Sequence, residues 1–503
     1  MSVLNSIFSW IITKRIHQIE LFLKHPHKVQ SDVFYKLMAG GQHTLFGNEH
    51  KFYEISSYQE FKNRVPLQDY ESLKPYIELN KKGQQNVLWK GEVRWFAKSS
   101  GTTSEKSKFI PVSKEAIEDC HFKGGKDMLG IYYHNVPNSK IFEGKSLVVG
   151  GSTEVNQFSN KSYYGDLSAI IIKNLPFWVE YKRTPGVEVA LMDEWEEKIN
   201  KMAKITSNEN VTNLAGVPSW TLLLIHKILE LKKAKHIHEV WPNLELYMHG
   251  GVNFSPYESS FNDIINSKSK LNLIETYNAS EGFFGIQDRI EAKDMLLMLD
   301  YGIYYEFIPF FKSSDDEPLT ITLDQVQLHK TYEMVISTNA GLWRYRIGDT
   351  IRFTSLLPYR VQVVGRTKHY INVFGEELMV HNTDQAIGLA CKEMKVKIKE
   401  YTVAPKMYGK GNGVHEWVIE FEGRKVNKQA FIVKVDEALQ KLNSDYTAKR
   451  HKNMILDSPI IHVVPENTFY NWMKSRGKLG GQNKVPRLSM ERKYLEELLR
   501  FIN

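Results

Sequence analysis

Apolar residues recur at helical spacing in the first segment, VLNSIFSWIITKRIHQIELFLKHPHK, at Ile11, Ile12, Ile16, Ile19 and Leu23, and predict an amphipathic helix packed on the body. Its positive charges follow the apolar stretch and no small-residue cleavage pattern appears, so a secretory signal is not expected. Lys14, Arg15 and Lys24 keep a membrane-surface helix as the alternative. Further on, short apolar runs alternate with helical patterns: SLVVGG at 146–151, SWTLLLIHKILELKK at 219–233 with Pro218 at its head, and LELYMHGG at 244–251. That alternation predicts an α/β body.

Past residue 290 the pattern turns strand-rich (LLMLDYGIYYEFIPF, YEMVIST, TIRFTS, YRVQVVG), predicting an antiparallel sheet or small β-barrel-like sheet attached to the α/β layers. After residue 370 it changes again. EYTVAPKM and WVIEFEG flank KGNG as a hairpin, KQAFIVKVDEALQKLN is amphipathic, PIIHVV reads as a strand, and ENTFYNWMKSR reads as a last helix. The expected organisation is a large N-terminal domain, residues 1–368, and a smaller, mobile α+β C-terminal domain, residues 369–503. No repeat of fixed period and no low-complexity segment interrupts it.

Composition narrows the class. A chain of 503 residues, 42% hydrophobic and 25% charged, exceeds what one core holds, since single cores stop growing near about 250 to 300 residues. The 66 basic residues exceed the 58 acidic ones by a margin spread along the chain, net +8, which favours anionic small ligands and does not single out nucleic acid. Cys120 and Cys391 are far apart and lack a CxxC partner, excluding a disulfide framework and a thiolate zinc site. No apolar run approaches the ~18 residues of a membrane span. A cytoplasmic protein, monomeric or weakly dimeric and without stable membrane association, is the expectation.

Five segments carry candidate chemistry. KSSGTTSEKSK, residues 98–108, lacks the ending of a Walker loop, yet Gly101 lets backbone approach a phosphate, the hydroxyls of Ser99, Ser100, Thr102 and Thr103 donate, and Lys106 or Lys108 supplies charge. By itself it reads as an ordinary flexible turn sooner than as a phosphate loop. In HGGVNFSP, residues 249–256, Gly250 and Gly251 allow a flat ligand against bare backbone. In ETYNASEGFFG, residues 275–285, Tyr277 offers a stacking face, Ser280 stands among small residues, and Glu281 can hold Mg²⁺ on nucleotide phosphates or be a solvated loop acid. In WRYRIGDTIRF, Asp349 is placed to accept ribose hydroxyls or to close a turn, and Arg346 to pair with a phosphate or a carboxylate. GRTKHYINVFGEE, 365–377, marks a domain boundary, and the glycine-rich GKLGGQNKVPRLS, 477–489, presents Lys484. Lone histidines His249, His369 and His415 are ordinary structural candidates, and HIH at 236–238 lacks further metal ligands.

The order of these segments resembles that of the adenylate-forming superfamily of acyl-CoA synthetases, luciferases and adenylation domains. Within it VRWFAKSSGTTSEKSKFIPVS, AGVPSW, NLELYMHGGVNFSPY, WRYRIGD and GQNKVPRLS are similar to the auxin-responsive (Gretchen Hagen) acyl acid amido synthetase family and its bacterial members, over roughly residues 30 to 490. The resemblance implies that a carboxylic acid is adenylated with ATP and Mg²⁺ and its acyl group passed to an amino acid. It implies Ser99, Ser100, Gly101, Thr102, Thr103 and Lys106 at the phosphates, Tyr277 with Ser280 and the Gly250–Gly251 pair around the nucleotide, Asp349 at the ribose, Glu281 on magnesium, Arg366 at the hinge and Lys484 as the late catalytic lysine. Glu105 departs from the family, which usually has Gly there. An acyl-CoA synthetase or a non-catalytic nucleotide-binding protein is the alternative.

Overall fold

The computed structural model describes residues 3–502 apart from 100–107, 151–154, 193, 252–253, 266–269, 311–317, 368–369, 372, 375, 377, 409–411, 424–425, 451–455 and 480–483. Its centre is an eleven-stranded mixed sheet built from β3 (Lys145–Val149), β6 (Arg183–Thr184), β7 (Val211–Gly216), β8 (Leu246–Gly250), β9 (Asn272–Ala279), β10 (Gly282–Ile286), β11 (Met295–Leu297), β12 (Ile303–Pro309), β13 (Thr331–Thr338), β14 (Tyr345–Leu356) and β15 (Tyr359–Arg366), in the order β12-β13-β14-β15-β11-β10-β9-β8-β7-β3-β6. A four-stranded sheet, β2-β1-β5-β4, comprises β1 (Trp95–Ser99), β2 (Lys108–Val112), β4 (Asn156–Ser159) and β5 (Ser162–Gly165).

The hydrophobic pattern accounts for the sheet's two halves. Strands β6, β3, β7, β8 and β9 pair in parallel, and Leu246, Tyr247, Met248 and His249 are buried in succession, on both faces, as parallel sheets require. The helix Pro218–Lys232 starts on proline, ends on Lys233 in the left-handed region, and buries Leu222, Leu224, Ile225, Ile228 and Leu229 with Trp195, Ile199 and Met202 of the helix Trp195–Thr206. From β9 onward every pairing is antiparallel. The strand-rich segment expected as an attached barrel-like sheet therefore continues the parallel one edge to edge through β10 and β11, which leaves the central sheet open at β12 and β6.

The first helix, Val3–Lys24, packs on the body as its spacing predicts. Ile19 and Phe22 are buried, and Arg15 is fixed between Asp127 (2.6 Å) and Asp300 (2.6 Å), so it does not face outward toward lipid. Among the described residues no helix is long and apolar enough to cross a membrane. Both thiols are buried; burial pushes each up to about 12, and Cys120 Sγ accepts the Phe283 N–H at 3.2 Å.

Beyond β16 (Tyr370–Ile371) and β17 (Leu378–Met379), a three-stranded sheet of β18 (Ile398–Tyr408), β19 (Asn412–Phe421) and β20 (Ile460–Val464) packs with the helices Val380–Met394 and Lys428–Leu442 around a separate core that includes Ile387, Tyr401, Trp417, Phe431 and Leu439. The hairpin, amphipathic helix and strand of the tail are present. ENTFYNWMKSR forms the helix Thr468–Ser475, but it is not the last: Lys493–Ile502 follows and buries Leu495 and Leu498 against Phe469, Trp472 and Met473. Its apolar positions complete a stripe only once that partner helix is in place.

One buried ion pair locks the antiparallel half to the N-terminal segment. Arg344, at φ +44°, meets Glu306 at 2.9 Å, donates to Val65 O (2.6 Å) and Lys62 O (3.1 Å), and bonds Thr320 Oγ1 at 2.8 Å. Both side chains are less than 5% exposed (4% and 1%). Arg344→Met leaves Glu306 an uncompensated buried charge, so a loss of about 3–5 kcal/mol is expected in denaturant unfolding, with partial recovery in the Arg344→Met, Glu306→Leu double variant. A single variant unfolding at the parental midpoint would contradict this.

Candidate active site

Parallel strands β7, β8 and β9 end together, and ligands of open α/β sheets bind outside such carboxyl ends. Here a cavity of about 750 Å³ opens, walled by Gly251 just beyond β8, by β9, by β14 and β15, by the start of the helix Pro218–Lys232, and by the C-terminal domain. Two adjacent glycines make room on β8. A Cβ on Gly250 would lie 2.5 Å from Thr276 O on the neighbouring strand, and Gly251 has φ +80°. Gly250 is thus required for strand approach and Gly251 for the turn that follows.

Asp349 reaches the cavity through a bulge. Between the pairings Glu333–Thr350 and Val335–Arg346, β14 carries two more residues than β13, with Gly348 at φ +81° in the excess. Asp349 then stands opposite Arg366 on β15, with Arg366 Nε 2.8 Å from Asp349 Oδ1. Tyr277 donates its hydroxyl to Asp349 Oδ2 at 2.8 Å. Burial, then the Asp349 carboxylate, pushes the Tyr277 phenol far up, so it stays a donor. Arg366 is raised by Asp349 first. Arg346, the other candidate in this segment, pairs with Glu333 at 2.7 Å.

Two further ionisable groups face the same space. Glu281, in the turn between β9 and β10, is pushed up by burial and by the neighbouring Asp349, and is drawn down by Arg366 and Lys108. Lys484 donates to Gly251 O at 2.6 Å, and burial followed by repulsion from Arg366 lowers it to about 8. Tyr277, Ser280, Glu281, Asp349, Arg366, Gly251 and Lys484 all line the one cavity. Of the phosphate-loop candidates, Ser99 closes β1 and pairs in register with Lys108 of β2, which is on the cavity wall. Ser100, Gly101, Thr102, Thr103, Lys106 and the atypical Glu105 lie outside the described residues, as does His369.

The other histidines are structural. His249 is buried against Phe254 (ring centroids 4.5 Å) and held neutral, lowered to about 3 by burial. His415 pairs with Glu376 at 2.8 Å inside the C-terminal core. No group of three or more metal-ligating side chains occurs among the described residues, HIH included.

Sequence reasoning missed Glu275. It lies two residues before Tyr277 on β9, hence on the same face, lines the cavity, and is pushed up to about 7 by burial. The period of two was the available signal. It also missed Arg487, Tyr257, Asp384 and Glu400 at the back of the cavity.

Three domain families match in order: the GH3 family N-terminal domain at residues 15–270, the GH3 family central domain at 296–366 and the GH3 family C-terminal domain at 381–493. The chain belongs to the GH3 family. It is 23% identical to the indole-3-acetic acid-amido synthetase GH3.4 of Arabidopsis thaliana over 94% of this chain and 91% of that protein. It is also 23% identical to the 4-substituted benzoates-glutamate ligase GH3.12 of Arabidopsis thaliana over 87% and 88%. The fold matches that of the GH3.15 acyl acid amido synthetase with TM-score 0.79 at 17% identity, covering 97% and 95% of the two chains. It also matches a 2-hydroxyisobutyryl-CoA ligase in its postadenylation state, TM-score 0.58 at 10% identity over 94% and 91%.

For this GH3 chain, a methyl at position 250 would meet Thr276 O at 2.5 Å and Thr276 Oγ1 at 2.8 Å. Gly250→Ala is expected to part β8 from β9 and cost about 1–3 kcal/mol, read as a lower thermal midpoint. Gly125→Ala, in the helix Lys123–Asn135 at a position where nothing lies within 4 Å of the added Cβ and φ is not left-handed, is the uncrowded control. A midpoint for Gly250→Ala no lower than that of the control would overturn the crowding between β8 and β9.

Proposed function

We propose that this protein is an ATP-dependent acyl acid amido synthetase, which joins a small carboxylic acid to the amine of an amino acid and releases AMP and pyrophosphate. The observation that carries the reading is the convergence of Tyr277, Asp349, Arg366, Glu281 and Lys484 on one cavity at the ends of the parallel strands, in a chain whose named relatives are amido synthetases.

In the first half-reaction the carboxylate attacks the α-phosphorus of ATP and pyrophosphate leaves. Asp349, an acceptor fixed from two sides, takes the ribose hydroxyls, while the ring of Tyr277 faces the base. The glycine pair lets the nucleotide lie against backbone. Lys484 brings its ammonium beside Gly251, where it neutralises charge on the acid and the α-phosphate as the new bond forms. Magnesium fits Glu281, a cavity-facing carboxylate: this metal is commonly held by one or two carboxylates plus substrate phosphates. Bound there it would screen the phosphates, and Glu281, raised by burial, is the group whose ionised form a cation favours. In the second half-reaction the amine attacks the acyl carbon, the C–O bond to phosphate breaks, and AMP leaves. The C-terminal domain, which supplies Lys484, moves between the two steps.

The test is product analysis by mass spectrometry after incubation with Mg-ATP, pooled carboxylic acids and pooled amino acids, with each pool omitted in turn and coenzyme A as a competing acceptor. AMP and pyrophosphate that depend on the acid, with a new amide that depends on the amino acid, are expected. Thioester in place of amide would overturn the amine acceptor, and ADP as the only product would overturn adenylation.

A pH dependence follows from Lys484. The ammonium is the useful form and titrates near about 8 in the free enzyme, so kcat/KM for acid-dependent pyrophosphate exchange should fall as pH rises through that value. Lys484→Arg keeps its charge and should show a lower rate without the alkaline limb. The same limb in both proteins would place the titration elsewhere.

A further inference from the structure

The segment that carries Lys484 is sewn to its own domain. Thr402 Oγ1 donates to Pro486 O at 2.6 Å, Val403 N–H donates to Arg487 O at 2.8 Å, and Ser489 N–H returns to Val403 O at 3.1 Å. The Arg487 guanidinium is neutralised there as well, by Asp384 at 2.7 Å and Glu400 at 3.2 Å. Its remaining arm crosses to the N-terminal domain, where Nη2 donates to the Tyr257 hydroxyl at 2.7 Å. That hydroxyl in turn donates to Glu400 Oε2 at 3.4 Å. Arg487, Asp384 and Tyr257 are 6%, 1% and 3% exposed, so the network sits inside the seam between the domains.

Two short segments therefore meet at both ends. Lys484 reaches Gly251, and three residues later Arg487 reaches Tyr257, six residues beyond Gly251. Next to Tyr257, the turn holding Ser255 lies so close to the helix Val380–Met394 that a Cβ on Gly388 would approach Ser255 Oγ to 2.3 Å. Charge is arranged to make this contact releasable. If the C-terminal domain moves, Arg487 leaves with both of its carboxylates, and within this network the partners separated are the Tyr257 hydroxyl and its bonds to Arg487 and Glu400.

We infer that Tyr257 is a positioning residue which, through Arg487, latches the Lys484 segment into the cavity for adenylation and releases it for acyl transfer. This rests on the synthetase reading above, and extends it to the step that commits the enzyme to one half-reaction. Of the other contacts across the seam, Tyr470 and Lys474 to Glu196 (3.0 and 2.6 Å) lie on its exposed rim and are individually weak, while Ser260 Oγ donates to Glu422 Oε2 at 3.2 Å further in.

The primary test needs no substrate. Competitive acetylation of lysines in the apo protein, followed by mass spectrometry across pH 7 to 11, reads the titration midpoint of Lys484. In the parent it is expected near about 8, the value for the seated lysine. Tyr257→Phe removes one hydroxyl and orphans no charge, and should move the midpoint toward the ordinary lysine value of about 10.4 as the seated state loses population. An unchanged midpoint in Tyr257→Phe, or a parent midpoint already near 10.4, overturns the latch. With an acid found by product analysis, Tyr257→Phe should lower pyrophosphate exchange about tenfold, while amide release from supplied acyl adenylate stays within about twofold of the parent. Equal losses in both half-reactions would mark a structural lesion and overturn the proposal. Absence of exchange in the parent, with the midpoint shift intact, would count against the synthetase reading alone.

Discussion

The Asp349 carboxylate is the point on which the site turns. It is 4% exposed, held by the Tyr277 hydroxyl from β9 and by the Arg366 guanidinium from β15. A buried carboxylate is tolerable only with such partners. They oblige β9, from the parallel half of the sheet, and β14–β15, from the antiparallel half, to converge across β10 and β11. The Gly348 bulge supplies the extra residues that turn Asp349 inward. Remove the bulge and Asp349 keeps its place in the ladder but loses its aim.

The lysine has the opposite character. Lys484 is anchored by one bond to a carbonyl, in surroundings that disfavour its charge. An anion arriving in the cavity would favour the ammonium. Arg487, by contrast, carries its counter-ions within its own domain. The seam thus lies between a cavity wall built on the sheet and a segment whose buried guanidinium keeps its counter-ions within its own domain. Resemblance to a ligase solved in its postadenylation state extends to the fold, and the chemistry is carried by the residues of this chain.

Much of this was legible before folding. Glycine at 250, 251 and 348 marks places where backbone must come close or turn left-handed, and two of those demands are met at φ +80° and +81°. The alternation of strands and helices, the antiparallel run after residue 290 and the change of pattern near residue 370 come from local periodicity, which survives without tertiary context. Glu275 was within reach of the same reasoning, because a period of two places it beside Tyr277.

The amino-acid sequence by itself determined which residue types stand at each strand end and turn, and the order in which they arrive. Tertiary structure alone decided their pairings: Arg346 with Glu333, Arg366 with Asp349, Arg15 with Asp127 and Asp300, and Arg487 with Tyr257, 230 positions apart along the chain. It also decided that the antiparallel strands would extend the parallel sheet, and that a final helix would cover Phe469 and Trp472. Local propensity acts over a few residues, whereas an ion pair or a sheet edge is chosen by distance in space, and no spacing along the chain encodes that distance.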